Sequence, residues 1–233
     1  MKKFLVAIVM AVLPLTASAA GSKAQLDHIE VDPTNQASLQ RGMQVYVNNC
    51  MGCHSLKYQR FERAAVDLGI PNELVEEHLI FGDQKVGEQM TIAMSSADAG
   101  NWFGNPPPDL SLETRLRGPD WVYTYLRSFY KDDSRPYGVN NVVFKDVGMP
   151  HVLQNLQGLR TMDEHGNLSP ATGGTMTEEE YDAFVRDIVN FLEYVGEPNK
   201  LEREALGYWV IGFLFILLIF SYLLKREYWK DVH

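Results

Sequence analysis

Three stretches of the chain carry hydrophobic residues at the three-to-four-residue spacing of an α-helix. They span residues 35–49, 118–129 and 177–195, and in each the apolar residues share one face. We therefore predict three helices that pack on a protein core. The apolar positions are Leu39, Met43, Tyr46 and Val47 in the first stretch, Trp121, Val122, Tyr125, Leu126 and Phe129 in the second, and Tyr181, Phe184, Val185, Ile188, Val189, Leu192 and Val195 in the third.

Capping residues mark the ends of these predicted helices. Thr34 or Asn35 can cap the first helix, and Pro119 suits the first turn of the second. Thr177–Glu180 has the capping-box pattern at the start of the third helix. Gly196–Pro198 ends that helix, because Pro cannot continue it.

Long segments without periodicity separate the helices. Asn72 is placed to cap one further short helix, but Gly82–Leu110 and Asp132–Gly174 are rich in Gly, Asn and Pro and are predicted to be loops. Pro106–Pro108 force an extended backbone. The sequence shows no alternating strand pattern and no internal repeat. It predicts a mainly α domain with long loop insertions, which require something besides a hydrophobic core to organise them.

A long apolar run lies near the C-terminus. Ala205–Leu224 is twenty residues without a charge, which as a helix is about 30 Å long, the thickness of bilayer hydrocarbon. Three basic residues follow it between positions 225 and 230, whereas Glu202 and Glu204 precede it. The positive-inside rule therefore places the C-terminus in the cytoplasm. The alternative of a buried core helix is disfavoured because every face is hydrophobic.

The N-terminus has the three-part pattern of a secretory signal. Lys2 and Lys3 precede the apolar run Phe4–Leu15, and the small residues Ala17–Ala19 follow it. This run is too short to span a bilayer, and its flanks disfavour a buried helix. An exported N-terminus agrees with a cytoplasmic C-terminus. The predicted division is a signal peptide at 1–19, a periplasmic domain at 20–204, a transmembrane helix at 205–224 and a cytoplasmic tail at 225–233.

The predicted exported domain is strongly acidic. The whole chain has 233 residues and is 45% hydrophobic, too apolar for a disordered protein. Between Ala20 and Glu204, 16 basic and 28 acidic residues give a net charge of −12. This charge disfavours direct nucleic-acid binding and favours basic partners. Carboxylates are concentrated at Glu76-Glu77, Asp163-Glu164 and Glu178–Glu180.

One short motif carries recognisable chemistry. Cys50-Met51-Gly52-Cys53-His54 has the C-x-x-C-H pattern of c-type haem attachment. Two thiols at this spacing can form thioether bonds to the two vinyl groups of one porphyrin, and the adjacent imidazole can bind the iron. The motif contains both cysteines of the chain and directly follows a predicted helix. It predicts one covalently attached haem c.

Two alternatives compete with haem attachment. The cysteines could be buried structural residues beside an ordinary histidine. That alternative does not explain why the C-x-x-C-H spacing occurs in a chain with an export signal. They could also form a dithiol that exchanges disulfides. Such a motif is expected beside a βαβ unit, which the sequence does not predict.

An electron-transfer haem also requires a second axial ligand, and a thioether there raises the potential. Met149 is the leading candidate, because Gly148 permits close approach and Pro150 stiffens the loop. Met43 is expected in the core, and Met51 lies within the attachment motif. The remaining competitors are Met90, Met94, Met162, Met176 and His151.

The chain resembles the cytochrome c1 family, the haem subunit of the quinol–cytochrome c reductase (cytochrome bc1) complex. The resemblance covers nearly the whole mature chain, including the long insertion between His54 and Met149 and the single C-terminal anchor. The residues that carry its more specific part are Pro107-Pro108-Asp109-Leu110-Ser111, Arg115, Asp120-Trp121, Asn141, Phe144 and Met149-Pro150.

The resemblance implies roles for individual residues and for partners. It implies Met149 as the sixth iron ligand and Arg115 beside a haem propionate, where a planar guanidinium can pair with a carboxylate. The alternative for Arg115 is a solvated cation on the side of a helix. Cytochrome b and a Rieske iron–sulfur protein are the implied partners, and a soluble cytochrome c is the implied electron acceptor.

The resemblance implies a mainly α, cytochrome c-like haem domain with long loop insertions, held at the bacterial inner membrane by one C-terminal transmembrane helix. It further implies a carrier that takes single electrons from the Rieske protein, passes them to the soluble cytochrome c, and catalyses no reaction on its own. One alternative is another anchored c-type cytochrome that feeds an oxidase or reductase. A tethered thiol–disulfide oxidoreductase is the alternative from a different class.

Overall fold

The computed structural model describes residues 25–232, so the predicted signal peptide at 1–19 lies outside the described residues. Helices dominate this part of the chain, and its strands form three separate antiparallel pairs, β1–β2, β3–β4 and β5–β6. The elements are α1 (Gln36–Asn49), β1 (Leu56–Arg60), α2 (Phe61–Leu68), α3 (Asn72–His78), β2 (Gln89–Met90), α4 (Ser96–Phe103), α5 (Glu113–Arg117), α6 (Pro119–Arg127), β3 (Phe129–Lys131), β4 (Val139–Asn141), α7 (Gln154–Gln157), β5 (Gly158–Leu159), β6 (Thr172–Gly173), α8 (Glu178–Gly196), α9 (Lys200–Tyr228) and a 3₁₀ turn (Lys230–Val232).

The three helices with periodic sequences are confirmed. The placement of Phe129 on the second helix is wrong, because α6 ends at Arg127 and Phe129 pairs with Asn141 in the β3–β4 hairpin. The side chain of Asn35 caps α1 by accepting a hydrogen bond from the N–H of Ser38. Pro119 occupies the first turn of α6. At the start of α8, Thr177 and Glu180 form both hydrogen bonds of a capping box. Local sequence was sufficient here because caps and stripes act within one or two turns.

The predicted loops contain short elements that the sequence did not reveal. Gly82–Leu110 includes β2 and α4, and the side chain of Ser95 caps α4 by accepting from the N–H of Asp98 (3.1 Å). The prediction that Asn72 caps α3 is wrong, because Asn72 is the first residue of the helix and Pro71 is the cap. These elements have two to eight residues, too few for a periodic pattern to be recognised.

The core forms where α1 crosses α8. At Gly42 the two backbones approach so closely that a Cβ atom would lie 2.1 Å from the carbonyl oxygen of Asp187 and 2.6 Å from Cβ of Phe191. The buried carboxylate of Asp187 accepts hydrogen bonds from Ser38 Oγ (2.6 Å) and Arg41 Nε (2.5 Å). The crossing therefore combines close packing with a charge-assisted contact.

The last long helix leaves the domain without packing on it. α9 has 29 residues, longer than the predicted span of 205–224, and its length and composition are sufficient to cross a membrane. It has no buried residue. Its first turns contact the domain through ion pairs, with Lys200 bound to Glu193 (3.1 Å) and Arg203 bound to Glu197.

Gly42→Ala tests the crossing of α1 and α8. We expect the free energy of unfolding to fall by about 3 kcal/mol, because the added methyl collides with backbone atoms that cannot move aside. Thermal unfolding of the full chain measures the change. Gly100→Ala in α4 is the matched control, since no atom lies within 4 Å of its Cβ position. Equal melting temperatures for the two variants would contradict the proposed packing.

Candidate haem-binding site

The C-x-x-C-H motif forms a tight turn at the end of α1. The carbonyl of Tyr46 accepts a hydrogen bond from the N–H of Cys50 (2.8 Å), which ends the helix. The carbonyl of Cys50 then accepts from the N–H groups of Cys53 (3.0 Å) and His54 (2.9 Å). Both thiols are free and half-buried. This turn holds two thiols and one imidazole on a short, hydrogen-bonded piece of backbone.

The ring of His54 has one nitrogen committed and one available. Its Nδ1 lies 2.8 Å from the carbonyl oxygen of Pro108. A carbonyl can only accept, so Nδ1 carries the hydrogen and Nε2 keeps its lone pair. Burial lowers the pKa of His54, which favours the neutral ring. A neutral imidazole whose other nitrogen is bound to a carbonyl is the form that ligates metals.

The segment Pro107–Ser111 is fixed beside the attachment turn by its side chains. One carboxylate oxygen of Asp109 accepts from the N–H of Lys57 (2.9 Å), and the other accepts from the N–H of Ser111 (3.0 Å). The buried hydroxyl of Ser111 in turn accepts from the N–H of Tyr58 (3.2 Å). These bonds place Pro108 where its carbonyl reaches the histidine ring.

The thioether of Met149 lies in an aromatic cluster, which we define as Trp121, Tyr125, Phe129 and Phe144. The hydroxyl of Tyr125 donates to Met149 Sδ (3.3 Å). Tyr125 also stacks on Trp121 with ring centroids 5.0 Å apart and an interplanar angle of 12°. Met149 is half-buried, and its sulfur keeps a second lone pair for a metal.

The competing methionines lie in other surroundings. Met43 and Met90 are fully buried in the core. Met94 lines a cavity of about 140 Å³ together with Pro107, next to the carbonyl that binds His54. The side chain of Met162 is 41% exposed in a hairpin, and that of Met176 packs on the core near α8. These positions favour Met149 as the second ligand.

His151, the rival imidazole, packs inside the domain. Its ring is buried and stacks face to face on Phe129, with centroids 4.8 Å apart. Burial lowers its pKa to about 4, so the ring is neutral at physiological pH. To bind iron it would have to leave this stack, which favours Met149 over His151.

Two arginines near the site have different environments. Arg115 Nη1 lies 2.7 Å from a carboxylate oxygen of Glu197, at the junction of α8 and α9. The guanidinium carbon of Arg117 lies over Trp121, 4.4 Å from the ring centroid, and 5.5 Å from that of Phe144. The structure therefore brings Arg117, which the sequence analysis did not select, to the aromatic cluster. A role for Arg115 beside a propionate stays a prediction.

The geometry disfavours disulfide exchange. Burial raises the pKa of the Cys50 thiol well above its usual range, whereas an exchanging thiol has a lowered pKa. The sheets within residues 25–232 are two-stranded and antiparallel, so this part of the chain provides no βαβ unit around the cysteines. Two thiols, a neutral imidazole with a free Nε2 and a thioether are instead the kinds of donor that a haem c requires.

Comparisons with known proteins identify the family of this chain. The model of the Cytochrome C1 family matches residues 29–232. The chain is 51% identical to cytochrome c1 of Allochromatium vinosum, over the whole of both chains. It is 46% identical to a protein of Nitrosomonas europaea named ammonia monooxygenase gamma subunit, covering 100% of this chain and 98% of that one. It is 26% identical to a cytochrome c1 of Rhodobacter capsulatus, over 98% and 97% of the two chains.

Met149→Leu tests the second axial ligand. It removes the thioether at similar volume, so packing should change little. We expect the midpoint potential to fall by on the order of 0.1–0.3 V, because axial ligands set haem potentials over a wide range. Redox titration followed by absorption spectroscopy measures the shift. Met94→Leu is the control and should leave the potential unchanged. If Met94→Leu lowers the potential and Met149→Leu does not, Met94 is the second ligand.

Proposed function

Because the chain belongs to the cytochrome c1 family, we propose that it carries single electrons from a Rieske iron–sulfur protein to a soluble cytochrome c. Membership makes it a c-type cytochrome and an electron-transfer subunit of the bc1 complex, which is a quinol–cytochrome c reductase. The observation that carries the proposal is the attachment turn with the free Nε2 of His54.

We assign one role to each residue of the donor set. Haem c, which proteins of this family carry covalently, supplies an iron that takes up and releases one electron. Cys50 and Cys53 would hold it through thioether bonds, and His54 Nε2 and Met149 Sδ would bind its iron. The carbonyl of Pro108 keeps the imidazole oriented, a function that outer partners of metal-bound histidines commonly have.

A guanidinium near the site would neutralise the propionate charge. Arg115 is the residue that the family resemblance indicates, and its planar fork suits a carboxylate. In the structure Arg115 pairs with Glu197, and Arg117 lies on Trp121 of the aromatic cluster. We therefore propose an arginine of α5 for this role, with Arg115 and Arg117 as the two candidates.

Exposed apolar side chains surround the proposed site. Leu112 and Leu116 are 46% and 75% exposed and follow the Pro107–Ser111 segment, and Phe144 of the aromatic cluster is 43% exposed. Exposed apolar residues beside the attachment turn suit packing against the mainly apolar porphyrin ring. They therefore support haem binding at this place.

The acidic residues support a basic acceptor. Glu76 and Glu77 are exposed on α3, and Glu178 and Glu179 are exposed in the first turn of α8. Their summed field would attract a basic cytochrome c, which is a rate effect that salt screens. The cluster on α8 also has a local explanation, since carboxylates stabilise a helix N-terminus, whereas Glu76 and Glu77 lie near the C-terminus of α3.

The experiment that tests the function uses the intact complex. A tag after His233 should co-purify cytochrome b and a Rieske protein, and added quinol should reduce the haem. Oxidation by a basic cytochrome c should slow by about tenfold or more between low and physiological salt, since steering fades with the Debye length. Stopped-flow absorption over a salt series measures the rate.

Variants localise the effect of charge on that rate. Glu178→Gln with Glu179→Gln should flatten the salt dependence if α8 begins near the docking surface, and Glu76→Gln with Glu77→Gln is the matched pair on α3. A rate that is flat or rises with salt would reject a basic acceptor. Absence of cytochrome b from the purified material would reject the complex and favour another anchored c-type cytochrome.

We further propose that α9 anchors the protein in the bacterial inner membrane. The helix is exposed along its length, and Lys225 and Arg226 lie in its last turn. The haem domain, residues 20–204, would lie in the periplasm and residues 225–233 in the cytoplasm, after removal of the signal peptide at 1–19. Basic residues on the cytoplasmic side and an apolar helix support this topology.

Protease protection tests the topology. Protease added to intact spheroplasts should digest the haem domain and leave a tag after His233 intact. A chain that ends before Lys200 should be released as a water-soluble haem protein. If that shortened chain stays with the membranes after a salt wash, another element anchors it. Digestion of the tag in intact spheroplasts would reverse the proposed orientation.

A further inference from the structure

The loop that carries Met149 is held by side chains rather than by regular secondary structure. We name residues 142–149 the Met149 loop; it directly follows β4. The amide oxygen of buried Asn141 accepts hydrogen bonds from the N–H groups of Val143 (3.0 Å) and Phe144 (3.2 Å). These bonds fix the first half of the loop.

The second half of the loop contains an unusual backbone conformation. Asp146 has φ = +62°, and it is the one non-glycine residue with positive φ among those that the structure describes. Left-handed backbone is unfavourable for a residue with a Cβ atom, although aspartate tolerates it better than most. Surrounding contacts must therefore hold Asp146 in place.

Two side chains from the β3–β4 hairpin hold both peptide groups of Asp146. Asn140 Oδ1 accepts from the N–H of Asp146 (2.8 Å), while Arg135 Nη2 donates to its carbonyl oxygen (2.8 Å) and Nη1 lies 3.3 Å from Oδ1. Asn140 is itself buried, and its Nδ2 donates to Asp132 (2.9 Å). We name Arg135, Asn140 and Asp146 the Asp146 clamp.

The clamp is close to the ligand along the chain. Val147, the next residue, is buried against Phe129 and Val139. Met149 follows two residues later, so its sulfur is at the end of a chain segment that is fixed at both Asp146 and Val147. Three residues span at most about 10 Å, which leaves little freedom to a sulfur that also contacts Tyr125.

We propose that Arg135 and Asn140 are positioning residues for Met149, holding the loop at Asp146 so that the thioether stays within reach of the haem iron. The inference rests on the proposed function, in which Met149 Sδ is an axial ligand. A ligand on a loose loop loses conformational freedom each time it binds, whereas a loop held in advance does not. Because a thioether favours reduced iron, weaker ligation lowers the potential and admits carbon monoxide.

Arg135→Gln in the intact complex tests the inference. We expect carbon monoxide to bind the reduced protein about tenfold faster than in the wild type, the factor expected for loss of one charge-assisted hydrogen bond. The midpoint potential should fall as well. Arg160→Gln is the matched control. Arg135 and Arg160 each have a buried Nε without a hydrogen-bond partner among the described residues, but Arg160 pairs with Glu178 (3.1 Å) and not with Asp146.

Variants of Asp146 test the backbone conformation. Asp146→Asn keeps a side-chain oxygen and tolerance of positive φ, so it should behave like the wild type. Asp146→Val should bind carbon monoxide as fast as Arg135→Gln, because a β-branched residue disfavours this backbone. If Asp146→Asn and Asp146→Val bind carbon monoxide at the same rate, the backbone conformation of Asp146 does not position Met149.

The outcomes separate this inference from the proposed function. If Met149→Leu leaves carbon monoxide binding and potential unchanged, Met149 is not the ligand and the proposed site fails. If Met149→Leu changes both while Arg135→Gln changes neither, the positioning role is overturned. Thermal unfolding is measured for every variant. Should Arg135→Gln lose its fold, Arg135→Lys replaces it, and carbon monoxide binding equal to that of the wild type would then overturn the role.

Discussion

The crossing of α1 over α8 at Gly42 is the contact on which the rest of the haem domain depends. It joins the two longest helices of the domain, and only a residue without a Cβ atom allows the backbone of α1 to touch that of α8. The attachment turn, residues 50–54, directly follows α1. The crossing therefore fixes where both thiols and His54 lie relative to the core. The bond between Arg41 and the buried carboxylate of Asp187 sets the register of this crossing.

The two proposed iron ligands are supported in different ways. His54 lies in the hydrogen-bonded turn that follows α1, and a main-chain carbonyl, that of Pro108, orients its ring. Met149 lies on a loop whose shape comes from buried asparagine amides and one arginine. Side-chain amides can satisfy peptide groups where no strand or helix is present, which explains how a long loop remains ordered in this domain.

The junction between α8 and α9 connects the haem domain to the proposed membrane anchor. Glu197 lies between the two helices and pairs with Arg115 of α5 and Arg203 of α9. Thr114, next to Arg115, donates to the carbonyl of Leu192 in α8 (3.1 Å). The proposed electron transfer between two partners would require a defined haem position above the membrane, and these contacts join the α5 segment directly to the start of the proposed anchor.

The sequence by itself determined the features that depend on neighbouring residues: the capped helices, the apolar run of α9 and the C-x-x-C-H motif. The caps and the motif depend on residues within about five positions, and the membrane span depends on the composition of one continuous run, so local sequence identifies each of them. Tertiary structure decided the rest. The hydrogen bond between His54 and Pro108 joins residues 54 positions apart in the chain. The different contacts of Arg115 with Glu197 and of Arg117 with Trp121 are likewise visible only in the folded chain. The short strands and the Asp146 clamp likewise depend on partners that no local pattern specifies, because their hydrogen bonds form only after distant segments have been brought together.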